Sequence, residues 1–428
     1  MCRGQTLGVP QTPLIDGLKL VNKRVAITGA GAVSALGNHW QAIRTRLLAC
    51  ENCVRYMHEW EQYPELQTRL ASPVDDFVLP SHYTKKKTRA MGRVAQLGVV
   101  AAEQALSAAG LLNDPVINSG RCGVAFGSAT GNSDAALDFC HLLENKSMQK
   151  INGTTYLRMM SHSAAVNISI FFGTTGRLYT TSSACTAGSQ GIGFAYEAIR
   201  SGLQDVMIAG GSEELCATQA AVFDTVYSAS LKNDTPKASP RAFDADRDGL
   251  VLGEGAGALI VEDWQHASAR GANILAEVVG FANNTDGSHV VNPNKDTMAE
   301  VMRLALADAR LNPEDIDYIC GHGTATARGD IAESLATAEA MGCTTAFSAL
   351  KGYIGHSLGA CGALEAWLGI EMMREGWFAP NLNLDQVDER CAPLAFIRNE
   401  PRELPARYFM SNNFAFGGIN TSLIFKRV

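Results

Sequence analysis

The chain reads as an α/β protein in which buried sheets are covered by helices, and three observations predict this. Short apolar runs that begin or end in glycine alternate with longer helical patterns. The alternation starts afresh near residue 274, so the chain reads as two halves on one α/β plan. Hydrophobic residues make up 46% and charged residues 18%, which supplies the large interior that such layering requires.

In the first half the leading strand is RVAITG (24–29), followed by a Gly-rich turn, AGAVSALG (30–37), and a helix from about His39. Further strands are expected at CGVAFGSA (122–129), RLYTTSSA (177–184), DVMIAGG (205–211) and GALIVED (257–263). Helices are expected over 92–110 and in the small-residue run after Cys185. The second half opens with ILAEVVGFA (274–282) and the amphipathic helix 298–311. Its later strands are IDYICGHG (316–323), TAFSALKG (345–352), LAFIRNE (394–400), RYFMSNN (407–413) and NTSLIFK (420–426). The polar segment WQHASARGAN (264–273) separates the halves, giving domains at 21–270 and 271–428 after a loose extension at 1–20.

The bulk numbers exclude several classes. A net charge of −7 argues against nucleic acid as a partner. No apolar run reaches a membrane-spanning length, and the first 20 residues lack the apolar core of a secretory signal. Eleven scattered cysteines do not form a disulfide framework and fit a reducing, cytoplasmic setting. The pair Cys50 and Cys53 has no second pair at zinc-binding spacing, so no metal is expected.

Four stretches carry candidate chemistry. In SSACTAGSQGIG (182–193), Cys185 sits where a strand runs into a helix. It is either a small residue filling a crowded turn or a nucleophile whose thiolate the helix N-terminus stabilises. In GHGTATARGDIAES (321–334), His322 stands between glycines, and Thr324 and Thr326 can hydrogen-bond a polar ligand. Asp330 and Glu333, three apart, share a helix face there, as N-terminal charges or as a network. In SALKGYIGHSLGACGALEAW (348–367), Lys351 and His356 precede a small-residue helix carrying Glu365, whose burial demands a partner, and Lys351 is the one at hand. In SNNFAFGGINTSLIF (411–425), Phe414 and Phe416 flank Ala415 before two glycines, which reads as a mobile gating loop or as a hairpin with core phenylalanines. A thiol that attacks an acyl thioester, with two neutral imidazoles that donate to a second carbonyl, is apparatus for decarboxylative carbon–carbon bond formation.

These stretches, with KRVAITGAGAVSALG and PRAFDADRDGLVLGEGAGALIVED, resemble the β-ketoacyl-acyl carrier protein synthases of the type I/II class (type II-like), in the thiolase superfamily, from about Lys23 to the C-terminus. The resemblance implies a five-layered α-β-α-β-α fold, a homodimer, and condensation of a cysteine-bound acyl chain with malonyl-acyl carrier protein. By it, Cys185 takes the acyl chain, and His322 and His356 bind the malonyl thioester carbonyl. Lys351 orients this site with Glu365 as partner, and Asp330 and Glu333 support it. The N–H groups of Cys185 and Phe416 form the oxyanion hole, Phe416 is the gate, and Phe414 contacts the substrate. Thr324 and Thr326 contact the phosphopantetheine arm, which arrives on the carrier protein, so no resident cofactor is expected. PRAFDADRDGLVLGEGAG reads as structural.

The only dense basic run, YTKKKTRAMGR (83–93), is a solvated helix face or a docking site for the acidic carrier protein through Lys86, Lys87 and Arg89. Three departures point to a specialised member, such as an aryl polyene or other secondary acyl synthase: Ala415 and Ile419 in the gating loop, Thr130 where a bulky aliphatic residue usually limits the acyl pocket, and the insertion-like segment 56–74. Two other readings compete. One is a subunit of a heterodimeric polyketide or polyene system. The other is a dinucleotide-binding oxidoreductase, for which TGAGAVSALG has G-x-G but places Ser34 where the third glycine belongs.

Overall fold

The computed structural model describes residues 22–428, so the extension expected at 1–20 lies outside the described residues. Eleven strands form one continuous sheet. They are β1 (Val25–Ser34), β2 (Cys122–Gly127), β3 (Leu178–Thr180), β4 (Val206–Glu213), β5 (Gly255–Asp263), β6 (Ala276–Thr285), β7 (Tyr318–Gly321), β8 (Ala346–Ala349), β9 (Ala395–Phe396), β10 (Tyr408–Ala415) and β11 (Ile419–Lys426). The spatial order is β9-β8-β7-β10-β11-β6-β1-β5-β4-β2-β3.

The repeat suggested by the sequence is explicit in this order. In the first half β3-β2-β4 run parallel, and β5 and β1 follow antiparallel. In the second half β8-β7-β10 run parallel, and β11 and β6 follow antiparallel. With the edge strand β9 left out, both halves ranked by chain position read 3-2-4-5-1. The two first strands pair antiparallel over Val25–Ile27 and Ala276–Val278, which joins the halves.

The principal helices are α1 (Arg93–Ala108), α2 (Ser163–Phe172), α3 (Ala187–Arg200), α4 (Lys295–Ala309), α5 (Ala327–Met341) and α6 (Cys361–Glu375). Helices α1 and α2 cover the outer face of the first half-sheet, and α4, backed by α5, covers that of the second. Helices α3 and α6 pack on each other and on strands of both halves, which gives the five layers. A helix buried on all sides must be apolar or small all round. Accordingly α6 is buried from Cys361 to Met373, and α3 carries glycines at 188 and 191 where it passes close to other backbone and at 193 where it meets the Phe281 ring.

Several boundaries differ from the sequence reading. The Gly-rich stretch after Gly29 is not a turn, because β1 continues through it to Ser34. Its glycines let α1 lie directly on the strand, since a Cβ at Gly29 or Gly31 would collide with the carbonyl oxygens of Ala105 and Ala101. A strand buried under a helix cannot cradle a pyrophosphate, which removes the structural basis of the oxidoreductase reading. Gly31→Ala is expected to cost about 1–3 kcal/mol or more, read as a lowered urea midpoint with an unchanged slope. The strands expected at 177–184 and 394–400 shrink to Leu178–Thr180 and Ala395–Phe396, because both lie at sheet edges with one neighbour each. The 411–425 stretch is the β10–β11 hairpin, with Phe416 at its tip and Gly417 and Gly418 at positive φ.

Candidate active site

The two central helices bring the two halves of the site together. Cys185 lies in a 3₁₀ turn, Ala184–Thr186, directly before α3, and His356 precedes a second such turn, Leu358–Ala360, directly before α6. Each turn carries a non-glycine residue at positive φ, Ala184 and Leu358, and the two turns pack against each other. The result is a contact between Cys185 Sγ and His356 Nε2 of 3.1 Å. The rings of His322 and His356 stand perpendicular with centroids 5.2 Å apart.

The environment of Cys185 differs from the thiolate expected at a helix N-terminus. The side chain is only 5% exposed, and burial pushes the thiol up to about 11, against the pull of Lys351 and of the Phe416 and Cys185 backbone N–H groups. Low dielectric around the sulfur outweighs the helix terminus, so the resting group is a thiol. Both N–H groups expected to form an oxyanion hole nevertheless converge on this sulfur.

Burial, reinforced by Lys351, holds both imidazoles well below their ordinary range, so each is neutral. The surroundings of His322 fix its tautomer. Its Nδ1 faces Lys351 Nζ at 3.1 Å and Asn413 Nδ2 at 3.3 Å, both donors, so Nδ1 accepts and Nε2 carries the proton. Among the described residues, Nδ1 of His356 has no hydrogen-bond partner. Neither of its tautomers is locked, and Nε2 can accept from a thiol or donate to a carbonyl.

The residues expected to support the site pack around His322. Lys351 spends its three N–H donors on His322 Nδ1, the His322 carbonyl (2.7 Å) and Glu365 Oε1 (2.6 Å). Burial works against its ammonium, but Cys361 and Glu365 hold it above the ordinary lysine range. Glu333 accepts from the N–H groups of His322 (2.6 Å) and Gly323 (2.8 Å), and Asp330 from those of Phe243 (2.6 Å) and Ala325 (3.1 Å). Burial lifts Glu333 to about 8 and Asp330 to about 6. Together the two carboxyls clamp the His322 loop, in which Gly323 and Ala325 both adopt positive φ.

Among the described residues, Cys185, His322 and His356 could hold a metal ion, as could His322, Cys361 and Glu365. The Lys351 ammonium beside His322 opposes a cation in either place.

The profile of the β-ketoacyl synthase N-terminal domain matches residues 22–267, and that of the C-terminal domain matches 275–385. A 3-oxoacyl-acyl carrier protein synthase 2 of Vibrio cholerae is 35% identical over 95% of this chain and 99% of its own length. The chain belongs to the β-ketoacyl synthase family. A crystal structure of a β-ketoacyl synthase from Burkholderia phymatum superimposes with a TM-score of 0.94 at 53% identity, over 95% of this chain and 100% of that one. A type II polyketide ketosynthase bound to a hexaketide, in complex with its acyl carrier protein, superimposes with a TM-score of 0.85 at 28% identity over the same shares.

In this β-ketoacyl synthase a cavity of about 470 Å³ opens over the reactive groups. Cys185, His322, His356, Thr324, Thr326, Phe414 and Phe416 all line it. The two threonine hydroxyls bond each other at 2.9 Å, and the Phe416 ring packs on that of Phe223 with centroids 5.2 Å apart. Thr130 does not line the cavity. Its hydroxyl donates to Glu213 at 2.9 Å and accepts from Gln219. Lys86, Lys87 and Arg89 are exposed around the short helix Lys85–Thr88 and likewise do not line the cavity.

Four functional neighbours escaped the sequence reading. Asn413 bridges Glu365 (2.7 Å) and His322, Cys361 donates to the Cys185 carbonyl, and Glu213 stands behind the cysteine turn. Arg247, within the stretch read as structural, lines the cavity and donates to the Thr326 and Ala327 carbonyls. The segment 56–74 contributes Met57, Trp60 and Leu66 to the apolar cluster that encloses Cys185.

Proposed function

We propose that this β-ketoacyl synthase condenses a Cys185-bound acyl chain with malonyl-acyl carrier protein, and the 3.1 Å contact between Cys185 and His356 beside a neutral His322 carries the reading. His356 Nε2 takes the thiol proton as Cys185 attacks the acyl thioester, and the departing carrier thiolate is protonated in turn. The oxyanion of that step sits on the N–H groups of Cys185 and Phe416. The malonyl thioester then places its carbonyl oxygen on His322 Nε2–H, with His356 as second donor. Carbon dioxide leaves, the enolate carbon attacks the acyl carbonyl, and the Cys185 thiolate departs from the new 3-oxoacyl chain.

On this reading the pantetheine arm runs past Thr324 and Thr326, no metal or resident cofactor takes part, and Lys86, Lys87 and Arg89 meet the acidic carrier protein. The type II class fits best, with the finer specificity set by the 56–74 segment. A homodimer is supported by the exposed edge strand β3 and the exposed Leu137, Leu143 and Ile170. The setting is the cytoplasm, and among the described residues no helix is long and apolar enough to cross a membrane. The likeness to a type II polyketide ketosynthase keeps a secondary pathway, with a heterodimer, as the second reading.

The test separates the half-reactions. His322→Ala is expected to lower malonyl-carrier decarboxylation by about 10²–10⁴-fold while acyl transfer to Cys185 falls less. His356→Ala is expected to impair both, with decarboxylation the more affected. Unchanged decarboxylation in both variants refutes the two-histidine role.

A further inference from the structure

Glu213 ends β4 with its side chain fully buried and no cation among its hydrogen-bond partners. Its carboxylate accepts from five groups. Oε1 takes the Ser128 hydroxyl (3.1 Å), the Thr130 hydroxyl (2.9 Å) and the Thr130 N–H (3.4 Å). Oε2 takes the N–H groups of Ala129 (2.6 Å) and Gly359 (3.1 Å). The first four lie on the loop after β2, and the fifth lies in the turn between His356 and α6.

The topological repeat shows what this does. The loop after β2 corresponds to the loop after β7, which carries His322. There Glu333 clamps two successive N–H groups. In the first half Glu213 performs the same clamp on Ala129 and Thr130, and it also reaches across to the other half at Gly359. That turn packs on the Cys185 turn, and the fit leaves no slack: a Cβ at Gly359 would stand 2.8 Å from both Glu213 Oε2 and the Ala129 nitrogen.

We propose that Glu213 is a positioning residue that joins the two halves of the site, holding the His356 arm against the Cys185 turn through the Gly359 N–H. This rests on Cys185 as the acyl acceptor. A buried carboxylate is suited to the task because, ionised, it only accepts, and all five of its partners donate. Burial lifts it to about 7, so the clamp is complete above that pH and loses acceptors as the pH falls through it. The titratable groups near it are Cys185, whose thiol its charge raises, and His356, which is neutral. Glu214 beside it accepts instead from the Ser133 N–H, and the 128–131 loop carries no ionisable side chain.

The experiment follows acyl transfer from an acyl-carrier thioester to Cys185 across pH 5.5–9 by intact-protein mass. The wild type is expected to gain rate as the pH rises through about 7. Glu213→Gln puts an amide N–H₂ among the donors. It is expected to lose about tenfold or more in rate at pH 8 and the rise through 7, with KM within about twofold. Thr130→Val removes one hydroxyl donor and is expected to move the rise to higher pH, which decides the matter if Glu213→Gln does not fold. Wild-type profiles in both variants overturn the proposal, whereas no acylation of the wild type overturns the reading beneath it.

Discussion

Cys185→Ala is expected to gain no acyl group from an acyl-carrier thioester, while the wild type gains one per chain that peptide mapping places on Cys185. Condensation should fall by ~10⁴-fold or more, since no other group can form the thioester intermediate. Two features make the result specific. The substitution removes one sulfur atom from a buried turn, at a cost of about 1 kcal/mol, so a melting curve close to that of the wild type separates lost chemistry from lost fold. The histidines stay in place, so the variant should still decarboxylate malonyl-carrier thioester. Cys361 is the neighbouring thiol that could answer instead, but its Sγ donates to the Cys185 carbonyl and faces Asn413. Acylation that persists in Cys185→Ala would refute the nucleophile assignment.

How much of this was legible in the sequence depends on the range of the interaction involved. Cys185, His322, Lys351, His356 and Glu365 stand in short motifs whose local chemistry is unusual: a histidine between glycines, a carboxylate in an apolar helix. Each could be singled out before any contact was known. The strand–helix alternation was legible for the same reason, since period and glycine punctuation are local. What stayed hidden depends on contacts between distant segments. Gly31 reads as part of a turn until α1 is seen lying on it. Thr130 looks like a pocket residue until Glu213 takes its hydroxyl. The state of Cys185 is the same case. The helix terminus that favours thiolate is visible in the sequence, but the burial that overrides it comes from Leu250, Leu358 and Phe223, far along the chain. Asn413 and Glu213 escaped because a polar residue in a strand carries no sign of what it faces.

Lys351→Met tests the ion pair that backs His322. Methionine has similar length and no charge, so packing is nearly kept while all three donated bonds are lost. Glu365 is then a fully buried carboxylate without its cation, which costs about 3–5 kcal/mol. The penalty has a definite sign in pH. An unpaired buried Glu365 keeps its proton in the folded state and loses it in the unfolded state above its ordinary range. The loss of stability relative to wild type should therefore be small near pH 4.5 and grow as the pH rises. Activity should follow a different course. Without the Lys351 donor, Nδ1 of His322 is left with Asn413 alone at 3.3 Å, and the proton is no longer confined to Nε2, where the malonyl carbonyl needs it. Decarboxylation should drop by about 10–100-fold. Lys351→Met combined with Glu365→Leu separates the two roles, since replacing a buried ion pair by apolar residues is close to neutral for stability. The double variant should regain most of the melting temperature and none of the decarboxylation. Equal melting of Lys351→Met and wild type at pH 8 would show that Glu365 does not depend on its cation, and recovery of activity in the double variant would show that the lysine does not hold His322 in its donating form.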